Sequence, residues 1–180
     1  MNKLSVVIIT FNEEKNIERC LLSVKDIADE IVVVDSLSTD STKSICHKYG
    51  VSFIQQPFLG YTEQKNFAAS LAKFDLILSL DADEALDKTL IDSISSVKVN
   101  MDKDGYFMNR VTNYCGKWIR HGAWYPDKKL RLFNRTKCAW TGAYIHEHCQ
   151  METGSETGFL KGDILHYSYE SIEAHVAQFN

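Results

Sequence analysis

No apolar run in this 180-residue chain approaches the roughly 18 residues that a membrane-spanning helix needs. No charged-then-apolar leader opens it either, so a soluble, cytoplasmic chain is expected. Excess positive charge is missing as well. The formal net charge is −4, which argues against a large basic surface for nucleic acid. Cysteine occurs five times, an odd number, at Cys20, Cys46, Cys115, Cys138 and Cys149, with no CxxC pair. That usage favours reduced thiols over a disulfide framework. Internal repeats and low-complexity linkers are absent, and a chain of this length is most economically one domain with a substantial core.

What is present in the first hundred residues alternates regularly. "LSVVIIT" (4–10) is a continuous β-branched run, as expected of a strand covered on both faces. Asn12 can cap the helix that follows, with Glu13 and Glu14 in its first turn, and Ile17, Cys20, Leu21 and Val24 recur at helical spacing. "EIVVVD" (30–35) is a second buried strand, followed by a short helix ended by Gly50. "VSFIQQP" is a weaker third strand stopped by Pro57. A helix over 62–73, a fourth strand over 76–80 and a helix over 87–97 complete the series. Strands alternating with helices of about ten residues mean βαβ units and a parallel sheet.

Beyond about residue 100 the texture changes. "GYFMNRVTNYCGKWI", "KKLRLFNR" and "GDILHYSY" read as strands separated by aromatic-rich loops. They predict a mixed or antiparallel extension of the same sheet. "SIEAHVAQFN" (171–180) begins an amphipathic helix without a terminating cap, as expected of a shortened C-terminus.

Ligands of open parallel sheets bind beyond the carboxyl ends of the strands. Three strands here end in polar residues: Thr10-Phe11-Asn12-Glu13, Asp35 with its following loop, and Asp81-Ala82-Asp83-Glu84. Three carboxylates within four positions are costly together unless a positive group neutralises them. Asp81 and Asp83 leave a strand at i and i+2 and can reach one ligand edge. An all-oxygen cluster of that kind suits Mg²⁺ or Mn²⁺, whereas a solvated turn capping the next helix is the structural alternative. Asp35 is balanced between a turn carboxylate and an acceptor for a nucleobase N–H. Arg131 suits a diphosphate or an acidic neighbour equally. His146, His148 and Cys149 lack the partner pair of a structural zinc site.

Taken together, "SVVIITFNEEKNIERCLLSV", "IVVVDSLSTDSTKSIC" and "LILSLDADEAL" resemble, in order and spacing, family 2 glycosyltransferases of the GT-A fold. "GYTEQKNFAASLAK", "YPDKKLRLFNR…WTGAYIHEHC" and "LHYSYES" extend the likeness to a subgroup that adds glucose to the inner core of lipopolysaccharide. The resemblance implies one GT-A domain over 1–180: a nucleotide-sugar half (1–100) and an acceptor half (101–180). It implies that Thr10, Phe11 and Glu13 line the base pocket with Asp35 on uracil, and that Lys65 and Asn66 approach the sugar nucleotide. Asp81 contacts ribose or sugar, and Asp83 binds the divalent metal bridging the diphosphate. His166 is a further metal or phosphate ligand in that scheme, against the plainer reading of a partly buried histidine. Thr10 stands where the family often has proline. Glu147, in "AYIHEHC", falls at the position of the catalytic base, and strand alternation would point it opposite to His146 and His148.

The expected activity is inverting, metal-dependent transfer of a hexose, glucose first, from a UDP-sugar to a saccharide or glycolipid acceptor of the cell envelope. Rival readings are a non-catalytic nucleotide-sugar-binding module and a sugar-nucleotide nucleotidyltransferase. The second would need a glycine-rich phosphate loop, and "TFNEEKN" has no glycine. The basic run Lys117, Arg120, Lys128, Lys129, Arg131, Arg135 and Lys137 reads as a solvated face, or as a contact for an anionic acceptor or the inner membrane surface. Of Trp118, Trp124 and Trp140, one is expected to serve as a sugar platform.

Overall fold

A computed structural model describes residues 1–142, 147–169 and 171–172. In its first half, β1 (Leu4–Thr10), β2 (Glu30–Asp35), β3 (Ser52–Gln55) and β4 (Leu76–Asp81) alternate with α1 (Ile17–Val24), α2 (Thr42–Lys48) and α3 (Tyr61–Leu71). These four strands are parallel in the order β3-β2-β1-β4, as the alternation predicts. Side chains of β1 divide by parity, since successive residues of a strand face opposite ways. Val6 and Ile8 pack with Ile17, Leu21 and Val24 of α1. Val7 and Ile9 pack with Ala68 of α3 on the other face. Both faces are therefore covered, which is why the strand reads as an unbroken apolar run.

The helix after β1 starts later than Asn12 would have it. Asn12 takes a positive φ of 53°, its N–H donates to Ser38 Oγ, and its side-chain oxygen accepts from Thr39 N–H. Its polar groups tie the first strand end to the second instead of capping a helix. The first turn forms on the Glu13 carbonyl, and α1 begins at Ile17.

The second half extends the sheet with β6 (Gly105–Tyr114), β7 (Lys117–Ile119), β8 (Asp127–Asn134) and β11 (Thr157–Tyr169). Strand β8 lies antiparallel to β4 and to β6, β11 runs parallel to β6, and β7 hairpins onto β6. The mixed extension is thus as expected. Two elements escape sequence periodicity. A three-residue strand, β5 (Glu84–Leu86), pairs antiparallel with β11, and a separate hairpin joins β9 (Cys138–Thr141) to β10 (His148–Met151). Helix α4 (Lys88–Val99) follows β5, and Asp87 caps it by accepting from Leu90 N–H at 2.7 Å.

The placement of β5 shapes the molecule. The sheet path runs β3-β2-β1-β4-β8-β6-β11-β5, so β4 and β5 stand four positions apart in it. Yet only Ala82 and Asp83 separate them in sequence, a span of at most about 11 Å. The sheet must curl until its β5 end returns to β4, and the Ala82–Asp83 link closes that curl. Strand β11 also approaches α4 closely at Gly162, where φ is +99° and a Cβ would lie 2.2 Å from Leu90 N.

The expectation of five free thiols is corrected at one pair. Hairpin β9–β10 brings Cys138 and Cys149 to a Cα–Cα distance of 6.2 Å, within bridging reach, and they form a disulfide. Cys20, Cys46 and Cys115 are free. The expected C-terminal helix lies almost wholly outside the described residues, as does His146.

Candidate active site

At the carboxyl ends of β1 and β4 lies a cavity of about 520 Å³, lined by Thr10, Phe11, Glu13, Ser36, Asp81, Asp83 and His166, with Ile9, Ala82, Phe58 and Tyr61 completing the wall. Five separate sequence stretches, 9–13, 36, 58–61, 81–83 and 166, thus converge on one space. Phe58 and Tyr61 meet edge to face at 5.1 Å. Phe58 lies in the loop entering α3 and Tyr61 is the first residue of that helix, where "PFLGY" concentrates aromatics after a strand stop. That clustering was the available signal for them.

The three carboxylates of "DADE" separate into two environments. Asp81 and Glu84 are neutralised by the protein itself. Lys65 Nζ lies 3.0 Å from Asp81 Oδ1, and Arg131 Nη2 lies 2.9 Å from Asp81 Oδ2 and 3.0 Å from Glu84 Oε1. Glu84 is buried and also accepts from the Asp81 N–H. Burial works to raise the Asp81 pKa, but the Lys65 and Arg131 charges outweigh it and hold the carboxyl well below its usual range. Burial likewise opposes the Arg131 charge, and Glu84 and Asp81 more than compensate. Arg131 is therefore committed to acidic neighbours.

These contacts continue in both directions. Lys65 Nζ also pairs with Glu147 Oε1 at 3.0 Å, and Arg110 reaches Glu84 at 3.4 Å and Asp127 at 2.9 Å. The result is one chain of alternating sign: Asp127, Arg110, Glu84, Arg131, Asp81, Lys65, Glu147. Arg110 was not among the residues singled out above, and Glu84 stood there only as one of three clustered carboxylates. Pairing across tens of residues leaves no local pattern to read.

Asp83 differs. Among the described residues it pairs with His166, whose Nε2 is 3.1 Å from Asp83 Oδ2, and both line the cavity. Across from them, burial raises the Glu13 pKa from its ordinary 4.5 to about 7, with help from the negative charges of Asp83, Asp40 and Asp81 against an opposing hydrogen bond from Asn16. The cavity wall is thus short of positive charge where Asp83 and Glu13 stand. One carboxylate and one imidazole fit a divalent cation that draws its other ligands from phosphate oxygens and water. Among the described residues, no group of three His, Cys, Asp or Glu side chains forms a closed metal cage.

Other residues named from the sequence lie around this centre. Asp35 is fully buried behind Ser36, accepting from Ser38 N–H at 2.9 Å, from the Ser38 hydroxyl, and from Gln55 Nε2 at 3.0 Å. It does not line the cavity. Asn66 is likewise engaged elsewhere, exchanging two 2.9 Å hydrogen bonds with the Trp140 backbone and so fastening β9 to α3. Thr10 is buried in the cavity wall, and its Oγ1 finds no partner among the described residues. Glu147 lies just before β10, not within it, so strand alternation does not orient it. The basic run is mostly internally paired: Arg120 with Asp163, Lys129 with Asp127, Arg135 with Asp75, and Arg131 as above. No helix among the described residues is long and apolar enough to cross a membrane.

Known proteins resemble this chain in sequence and in fold. Residues 5–154 match the sequence profile of glycosyl transferase family 2. A protein of Rickettsia bellii described as an uncharacterized glycosyltransferase is 46% identical over 195 residues, covering 99% of this chain and 64% of that protein. The lipopolysaccharide core biosynthesis glycosyltransferase LpsC of Rhizobium meliloti is 36% identical over 171 residues, covering 91% and 63% respectively. The chain therefore spans a little under two thirds of the length of these relatives. Among solved structures, S. aureus TarS 1-349 in complex with UDP-GlcNAc superposes with a TM-score of 0.52 at 26% identity, over 62% of this chain and 35% of that one. A curled, mostly parallel sheet covered by helices, with acidic residues gathered at the ends of its strands, and this extent of sequence likeness place the chain in glycosyl transferase family 2, with the GT-A fold.

Proposed function

We propose that the protein is an inverting, divalent-metal-dependent glycosyltransferase that moves a hexose from a UDP-sugar to a saccharide acceptor. Glucose is the favoured hexose, and a growing cell-envelope glycan such as lipopolysaccharide core the favoured acceptor. The observation that carries the reading is the division of labour at "DADE". Asp81 is fixed by Lys65 and Arg131, while Asp83 faces the cavity beside His166. That contrast leaves one carboxylate held by the protein and another beside an imidazole, where both can meet a cation. TarS, bound to UDP-GlcNAc, and LpsC, named for lipopolysaccharide core synthesis, support the donor and acceptor classes.

In this reading the aromatic rim of Phe11, Phe58 and Tyr61 receives the base, and the unpartnered Thr10 hydroxyl offers it a hydrogen bond. Asp35 and Asn66 act from behind, the first by holding the loop that carries Ser36 and the second by fastening β9. Asp83 and His166 would hold Mg²⁺ or Mn²⁺, which when bound neutralises charge on the departing UDP as a Lewis acid. Glu147 takes the proton of the attacking acceptor hydroxyl, and Lys65 orients its carboxylate. The enzyme would work in the cytoplasm, at the inner face of the membrane where a glycolipid acceptor presents itself.

Transfer of radiolabelled glucose from UDP-glucose to a lipopolysaccharide core oligosaccharide tests the assignment. Glu147→Gln should lower kcat about 10²- to 10⁴-fold, the range for loss of a general base, while UDP still binds. Unchanged turnover in Glu147→Gln would remove that residue from the chemistry. UDP binding without transfer to any saccharide would favour the non-catalytic binding module.

A further inference from the structure

A second cavity, of about 410 Å³, opens on the other side of His166. It is lined by Arg110, Thr112, Trp124, Asp127, Ser168 and His166, with Ala123 and Tyr169. His166 is common to both cavities. Its Nε2 meets Asp83 on the donor side, and its Nδ1 lies 3.5 Å from Thr112 Oγ1 on the other.

The chemistry of this lining is selective. Its cation, Arg110, is already engaged by Asp127 and Glu84, so it is poorly disposed to a phosphate. Its anion, Asp127, is held by Arg110 and by Lys129 at 3.0 Å, so it is poorly disposed to a metal ion. What is left is a neutral but hydrogen-bonding surface. It combines a carboxylate with lone pairs to spare, the hydroxyl-bearing Thr112, Ser168 and Tyr169, and an indole that is 42% exposed. Tyr114 supports that indole edge to face at 5.8 Å. The negative face of an indole suits a C–H-rich surface, and convergent polar groups fix orientation and specificity. A neutral, polyhydroxylated ring satisfies all of these features at once.

We infer that this second cavity is a saccharide-binding site that receives a neutral pyranose of the acceptor, stacked on Trp124 and hydrogen-bonded to Asp127 and Ser168. Its description as the acceptor site rests on the glycosyl transfer proposed above. Sugar binding there does not. The ion chain gives the site a physical link to the chemistry, because Asp127 is one end of the same alternating series that ends at Glu147.

The three tryptophans allow both sites to be observed in one sample of the whole chain. Trp140 lies 4.5 Å from Lys65 Nζ and 5.4 Å from the Arg131 guanidinium, so it reports on the donor side. Trp124 reports on the second cavity. The protein is labelled with 5-fluorotryptophan, its ¹⁹F resonances are assigned through single Trp→Phe variants, and it is titrated with UDP and Mn²⁺. Separate titrations use methyl β-D-glucopyranoside and methyl α-D-mannopyranoside, with glycerol as control. At least one glycoside is expected to move the Trp124 resonance saturably while glycerol does not. Asp127→Asn, whose fold is checked by the unchanged Trp140 resonance, should weaken that response by about tenfold, as loss of a charged acceptor does. A Trp124 resonance unmoved by either glycoside, or moved equally in Asp127→Asn, overturns the inference even where UDP moves Trp140. A glycoside response at Trp124 with no UDP response at Trp140 upholds the saccharide site and overturns the donor reading instead.

Discussion

Replacing Lys65 by methionine is expected to destabilise the fold far more than the loss of one lysine usually does. The side chain is 2% exposed, and its ammonium lies 3.0 Å from both Asp81 Oδ1 and Glu147 Oε1. At an effective dielectric of about 20, each such pair attracts by roughly 5–6 kcal/mol. Burying the ammonium cancels several kcal/mol of this, and methionine regains the packing of the aliphatic stem. What does not cancel is the orphaning of two carboxylates, which for a buried pair costs about 3–5 kcal/mol. Asp81 and Glu147 are 26% and 16% exposed, and Arg131 remains on Asp81, so the net loss is estimated at about 2–4 kcal/mol. The loss should depend on pH. The Asp81 pKa is depressed in the folded protein, so its stabilising contribution is full above the unfolded value and fades as pH falls through the folded one. In Lys65→Met that depression is weakened, so the gap from the parent should be widest near neutrality and narrow below about pH 4. Urea unfolding followed by circular dichroism at pH 7.5 and pH 4 measures both effects. Adding Asp81→Asn to Lys65→Met should restore part of the loss. A change below about 0.5 kcal/mol at pH 7.5, within the range of ordinary surface substitutions, would refute the view of Lys65 as a buried charge bridge.

Three further outcomes follow from single residues. Glu13 has a raised pKa in the fold, so the folded state holds its proton more tightly. Stability from this source is present at low pH and is lost as pH rises through about 7. Glu13→Gln should therefore be more stable than the parent at pH 8 by about 1–2 kcal/mol after solvent screening, and nearly equal to it at pH 4; an unchanged difference across that range would argue against the raised pKa. Gly162→Ala places a Cβ against the α4 backbone at a positive φ and should cost at least about 2 kcal/mol in denaturant unfolding, whereas no loss would contradict the close approach of β11 and α4. Thr10→Val removes a buried hydroxyl that lacks a partner among the described residues and should leave Tm unchanged or slightly higher while weakening UDP binding. A marked drop in Tm would mean that the hydroxyl serves the fold instead.

Much of the architecture was legible because it rests on local repetition. The apolar runs at 4–10, 30–35 and 76–80 and the helical spacing of Ile17, Cys20, Leu21 and Val24 are patterns that neighbouring residues share, and they recover the parallel strands. The convergence of Thr10, Glu13, Asp81 and Asp83 also follows from strand ends alone. The partners of those residues do not. Lys65 and Arg131 reach Asp81 from 16 and 50 residues away, and nothing near "DADE" announces them. The sequence reading assigned neutralisation of these carboxylates to a metal, whereas Asp81 and Glu84 already have their counter-ions within the chain. Strand β5 is too short to show a period, and its pairing with β11 depends on the curl of the whole sheet. Asn12 misleads for a similar reason. Its side chain is equally suited to a helix cap or a loop bridge, and the Ser38–Thr39 loop that decides between them lies 26 and 27 residues on.

The central claim is that Asp83 serves a metal-dependent nucleotide site while Asp81 is tied to the protein. Calorimetric titration of UDP into the intact chain, with Mn²⁺ and then with EDTA, tests it most directly when repeated on Asp83→Ala. The account predicts binding that requires Mn²⁺ and is lost in Asp83→Ala, with circular dichroism unchanged. UDP binding of equal strength in EDTA, or in Asp83→Ala, would contradict it, as would a folded chain that binds no UDP at all.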